Sequence, residues 1–79
     1  MKYAVVITYS FDNEVTVYVF ETVESAQDFL RKTYLEELRI DTEENGRNST
    51  GEISDDSWYA KITTEFDDIT EFRIGSIYP

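Results

Sequence analysis

Chemistry in this chain has to be built from carboxylates. Seventeen Asp and Glu stand against seven Lys and Arg, with no histidine and no cysteine, so the usual neutral-pH base and the thiolate nucleophile are both missing. What remains for catalysis is a carboxylate pair such as Glu52 and Glu71, the amine of Lys61, or serine and threonine hydroxyls with no evident base beside them. A carboxylate pair does acid–base work only where a dry cleft raises one of its pKa values. A chain of 79 residues can fill one core and has little length left to build such a cleft. Gly46, Gly51 and Gly75 are scattered rather than gathered ahead of a helix, as a phosphate-cradling loop requires. The expectation is a protein that is not an enzyme and carries no cofactor.

One segment has the spacing of a cation loop. From Asp41 to Glu52, acidic or amide groups fall at the first, third, fifth and twelfth positions and the Ser49 hydroxyl at the ninth, with Gly46 at the sixth, and oxygen donors at that spacing suit calcium. Against this, Glu43 stands where Asp or Asn is usual, Asn48 occupies a normally apolar position, and no exit helix follows Glu52. A calcium loop at 41–52 stays a minor alternative and no metal is assigned. Asp55-Asp56 and Asp67-Asp68 are neighbouring acids of the kind that suit turn geometry without any ion.

The charge itself is the distinctive feature. A formal net charge of -10 repels nucleic acid and anionic membranes, which excludes direct binding to either. Residues 1–40 hold seven acids and four bases (-3), residues 41–79 ten acids and three bases (-7), so the acidity belongs mainly to the second half. There, Asp55, Asp56, Glu65, Asp67, Asp68 and Glu71 are interspersed with Trp58 and Tyr59. Carboxylates on a rigid scaffold can stand in for phosphates, so this set is expected to meet a basic protein partner, as a nucleic-acid mimic that inhibits such a protein would. The alternative is that the acidity serves only solubility.

These side chains are carried on a folded scaffold, since 41% hydrophobic and 15% aromatic residues exceed what disordered chains contain. Residues 3–11 and 15–20 are rich in β-branched and aromatic types around Asp12-Asn13-Glu14, which predicts a hairpin. Thr22 offers an N-cap, and Val23, Ala26, Leu30, Tyr34 and Leu38 recur at helical spacing, so a helix of about four turns runs to near Ile40. Residues 41–56 are polar and turn-rich and read as one long loop. Residues 57–66 and 69–78 alternate as strands about Asp67-Asp68. The fold class is α+β in the order ββαββ: a single domain over 1–79, with a four-stranded, mainly antiparallel sheet and one helix packed on one face.

A lone helix leaves the other sheet face open. That face is expected to show aromatic and β-branched side chains, Tyr9, Tyr18 and Tyr59 among them, and so to support a homodimer. The opening run from Tyr3 to Ile7 is too short for a signal-peptide core or a membrane span, which points to a cytoplasmic strand.

The segments Lys2 to Val5, Trp58 to Ile62 and Thr70 to Ile74 resemble strand motifs of a group of short, acidic, uncharacterised bacterial proteins. That resemblance implies a ββαββ-like fold and a mobile-element setting, without an assigned activity. In shape and charge the chain is also similar to small phage-borne inhibitors of bacterial defence, including anti-CRISPR proteins.

Overall fold

A computed structural model describes residues 1–77. Tyr78, the last residue of the expected final strand, lies outside the described residues. The elements are β1 (Lys2–Tyr9), β2 (Asp12–Phe20), α1 (Val23–Arg39), a π-helical turn (Ile40–Glu44), β3 (Thr50–Ile53), β4 (Tyr59–Thr63) and β5 (Ile69–Ile77). The sheet is antiparallel throughout, with the order β2-β1-β5-β4-β3. The α+β class with one helix therefore holds, but the sheet has five strands rather than four and the order is ββαβββ.

The extra strand comes from the stretch read as a long loop. Thr50–Ile53 pairs with β4, placing Gly51 opposite Ile62 and Glu52 opposite Lys61. Its four residues include a glycine and a glutamate, both poor strand formers, so propensity hid it; pairing to an existing strand overrides that weak local preference.

Helix α1 begins where Thr22, in extended conformation, accepts a hydrogen bond from the Ser25 amide, and Glu24 lies in the first turn. Ala26, Leu30 and Tyr34, one turn apart, are the helix residues that become buried. The helix does not stop cleanly. It widens into the π-helical turn, where the Asn45 amide donates to the Ile40 carbonyl and the Thr42 hydroxyl to the Leu38 carbonyl, and Gly46 then turns the chain at φ +64°.

The core lies between α1 and one face of the sheet. Val5 and Ile7 of β1, Ala60 and Ile62 of β4 and Phe72 of β5 meet Ala26, Leu30 and Tyr34, with Tyr3, Tyr9, Phe20, Phe29, Leu38 and Ile74 packed around them. Tyr34 and Phe72 meet edge to face with ring centroids 6.2 Å apart.

The expected division of the tyrosines is corrected. Tyr18 stands opposite Val5 on the helix side, where its ring lies 4.6 Å from that of Phe29, and Tyr9 is on the same side. Of the three tyrosines expected on the open face, Tyr59 is there, opposite Arg73. The exposed apolar residues on that face are aliphatic, Val15, Val17 and Val19, because alternation along β2 sends the valines one way and Tyr18 and Phe20 the other.

Candidate functional site

Antiparallel pairing decides which turns share an end of the sheet. The β1–β2 turn and the β4–β5 turn fall together: Tyr9 pairs with both Asp12 and Thr70, the Ser10 amide donates to the Ile69 carbonyl at 2.9 Å, and the Ile69 amide donates to Ser10 Oγ at 2.8 Å. The β3–β4 turn lies at the opposite end, five strand residues away along β4, or about 17 Å.

The eight residues singled out in the sequence are therefore split three ways. Asp55, Asp56 and Trp58 belong to the β3–β4 turn. Tyr59 and Glu71 are on the open face. Glu65, Asp67 and Asp68 sit in the β4–β5 turn at the other end.

Asp56 and Trp58 of the β3–β4 turn are structural in their bonding, while Asp55 beside them is exposed and has no ion pair among the described residues. Asp56 Oδ1 accepts from Ser54 Oγ at 2.7 Å and from the Trp58 amide at 3.1 Å, and these donors hold its carboxyl below the usual range. Gln27 Nε2 donates to the Asp56 carbonyl at 2.8 Å, fastening the turn to the helix. Ser57 takes a left-handed φ of +60° and is buried, with Oγ accepting from Arg31 Nη1 at 3.0 Å. Trp58 is half-buried and meets Tyr3 edge-on at 6.3 Å, so it is part of the packing instead of an outward anchor.

The β4–β5 turn is built differently. Thr64 Oγ1 accepts from the amides of Phe66 and Asp68, and the Asp67 amide donates to the Thr64 carbonyl, so a threonine shapes the turn and the acids are spared that task. Asp67 adopts φ +64°, a conformation that Asp tolerates better than most residues. Glu65, Asp67 and Asp68 form no ion pair among the described residues, and neither do Asp12 and Glu14 at the adjoining start of β2.

Two aromatic rings stand out of these same turns. Phe66 is 69% exposed and Phe11 63% exposed. Beneath Phe11, a cleft of about 200 Å3 opens between the turn and the end of the helix, lined by Tyr9, Glu37, Ile40, Asp41 and Arg47 among others. The Phe11 and Tyr9 rings are 5.5 Å apart. Burial, seconded by the Glu37 charge, pushes the Tyr9 hydroxyl pKa up, so it stays a neutral donor at the cleft. On the other wall Asp41 faces Arg47 at 3.5 Å and accepts from the Ser49 hydroxyl.

This end of the molecule escaped the sequence reading in part, because Tyr9, Phe11, Asp12 and Glu14 lie in the less acidic half. A signal was present: both hairpin turns carry Phe-Asp, as Phe11-Asp12 and Phe66-Asp67. An apolar ring at a turn tip has no core to enter and is exposed by construction.

The segment with calcium-loop spacing is divided among other tasks. Asp41 is engaged by Ser49 and Arg47, and Glu52 lies in β3, 3.7 Å from Lys61. Among the described residues no three carboxylates gather as a metal-holding group. No helix among them is long and apolar enough to cross a membrane.

Comparison with protein-family models, with curated proteins and with solved structures finds no match to this chain.

Proposed function

We propose that this protein is a non-enzymatic binding module that presents its acidic, aromatic end to a basic protein surface. The observation that carries this reading is the convergence of the two Phe-Asp turns: exposed Phe11 and Phe66 stand among Asp12, Glu14, Glu65, Asp67 and Asp68, all five without an ion pair among the described residues. Charge of one sign speeds encounter with a basic partner, while exposed rings supply the desolvated contacts that hold it. Asp56, Trp58, Tyr59 and Glu71 support the scaffold in this reading, and Asp55 lies in the β3–β4 turn, outside the proposed contact.

The partner chemistry is that of a protein surface whose Lys and Arg otherwise face phosphates, which makes the module a competitor of nucleic acid for that surface. The test is capture from the host lysate by the wild-type chain and by a variant carrying Asp12→Asn, Glu65→Gln, Asp67→Asn and Asp68→Asn. A basic protein retained by the wild type, lost by the variant and displaced by added duplex DNA is the expected result. A partner that binds both forms equally, or that DNA leaves in place, overturns the reading.

A further inference from the structure

The open face of the sheet differs in charge from the rest of the molecule. Register places Lys2, Lys61 and Arg73 on it as bases and Glu52 and Glu71 as acids, and Glu21, just past the end of β2, pairs with Lys2 at its edge. Each base has an acid beside it: Lys2 and Glu21 at 3.6 Å, Lys61 and Glu52 at 3.7 Å, Arg73 and Glu71 at 2.8 Å. In a chain of net charge -10 this face is neutral, and the surplus carboxylates lie in turns, on the helix and at the start of β2.

The same face is divided into an apolar and a polar half. Register rows across the sheet run Val19–Ala4–Gly75, Val17–Val6–Arg73–Tyr59 and Val15–Thr8–Glu71–Lys61–Glu52. The β2 and β1 half is aliphatic, with Val15, Val17 and Val19 each more than half exposed. Three adjacent valines held in water on a rigid strand are a cost that solubility does not explain.

We infer that a second copy of this chain covers the open face, the two sheets packing face to face about a twofold axis with Val6 and Val17 inside the contact. Charge selects this occupant. A basic partner is drawn to the turns and gains nothing from a neutral face. An anionic surface, lipid or nucleic acid, is repelled by the molecule as a whole. A copy of the same face meets it without like-charge opposition, because every charge there is already neutralised by its neighbour, and a twofold interface requires that self-compatibility. Four strand spacings of about 4.8 Å and about seven residues at about 3.3 Å give roughly 450 Å2 of flat face per copy, near the area at which specific interfaces begin. The dimer is accordingly a weak one, with micromolar dissociation. The acidic ends stay free on both copies.

Sedimentation equilibrium between about 1 and 200 μM, the range that brackets micromolar dissociation, tests this. The expected result is a mass rising from 9.3 kDa toward twice that value. Val17→Lys, at an exposed position, should remain monomeric throughout with an unchanged circular dichroism spectrum. Val17→Thr, which keeps the strand preference, should weaken association about tenfold should the lysine variant fail to fold. Val6→Thr, on the inner strand, should also weaken association, since face packing covers Val6 and edge pairing through β2 does not. A monomeric wild type, or a dimer that responds to Val17 and ignores Val6, overturns the inference.

Discussion

Gly51 on β3 lies directly beneath the tip of Tyr34 on the helix. A Cβ at residue 51 would come within 2.9 Å of Leu38 Cδ2 and closer still to the Tyr34 hydroxyl. The glycine is what lets this edge strand slide under the helix, so the same residue that weakens β3 locally permits its packing. Gly51→Ala is expected to destabilise the fold by about 1–3 kcal/mol, as overpacking does. Tyr34→Phe should recover part of that loss, and the two changes measured singly and together by urea unfolding would show coupling. Strict additivity would mean that the hydroxyl and the Cβ never meet.

On the open face Tyr59 donates from its hydroxyl to Glu71 Oε2 at 2.7 Å, and Arg73 donates to the same oxygen at 2.8 Å while lying 5.1 Å from the centre of the Tyr59 ring. The Tyr59 hydrogen bond, then the Arg73 one, hold the Glu71 carboxyl below its usual value of 4.5. The folded value is the depressed one, so the contribution is complete above the unfolded value and disappears as pH falls through the folded one. Tyr59→Phe is expected to raise the Glu71 pKa and to flatten the fall in stability below about pH 4.5. Carboxyl NMR titration against the wild type measures the shift; an unmoved Glu71 would rule the bond out in solution.

Phe72 is fully buried where α1 meets the centre of the sheet, with Tyr34 edge-on to its ring. Phe72→Ala is expected to cost about 3–5 kcal/mol, a large share of what a domain this small possesses. Thermal unfolding followed by circular dichroism should find it mostly unfolded at 37 °C. Leu35→Ala on the same helix, at a position 60% exposed, should change stability by less than about 0.5 kcal/mol.

The hairpins and the helix were legible because their periods are unambiguous: Val5 and Ile7 at spacing two, Ala26, Leu30 and Tyr34 at spacing four. Strand β3 was not, since Thr50-Gly51-Glu52-Ile53 owes its conformation to pairing with β4 rather than to its own residues. The faces were half legible. Alternation separates Val15, Val17 and Val19 from Tyr18 and Phe20, but which set meets the helix depends on Phe29, whose ring packs against both Tyr18 and Phe20. The site was the least legible part. Asp56 and Asp68 look alike in the sequence, and only the turn geometry shows that Asp56 spends its carboxylate on the chain while Thr64 frees Asp68 from that task.

That difference yields the sharpest contrast between binding and stability. Phe11 and Phe66 contribute little to the core, so Phe11→Ala and Phe66→Ala should leave the unfolding midpoint within about 0.5 kcal/mol of wild type. Both should nonetheless weaken capture of a basic partner by tenfold or more, about 1.4 kcal/mol each, since exposed aromatics at the centre of a contact carry a disproportionate share of it. Asp56→Asn should do the reverse, loosening the β3–β4 turn and lowering stability while partner capture is retained. Titration calorimetry with the captured partner, beside chemical unfolding of each variant, separates the two effects. A Phe66→Ala chain that binds as well as wild type would move the contact away from the Phe-Asp turns.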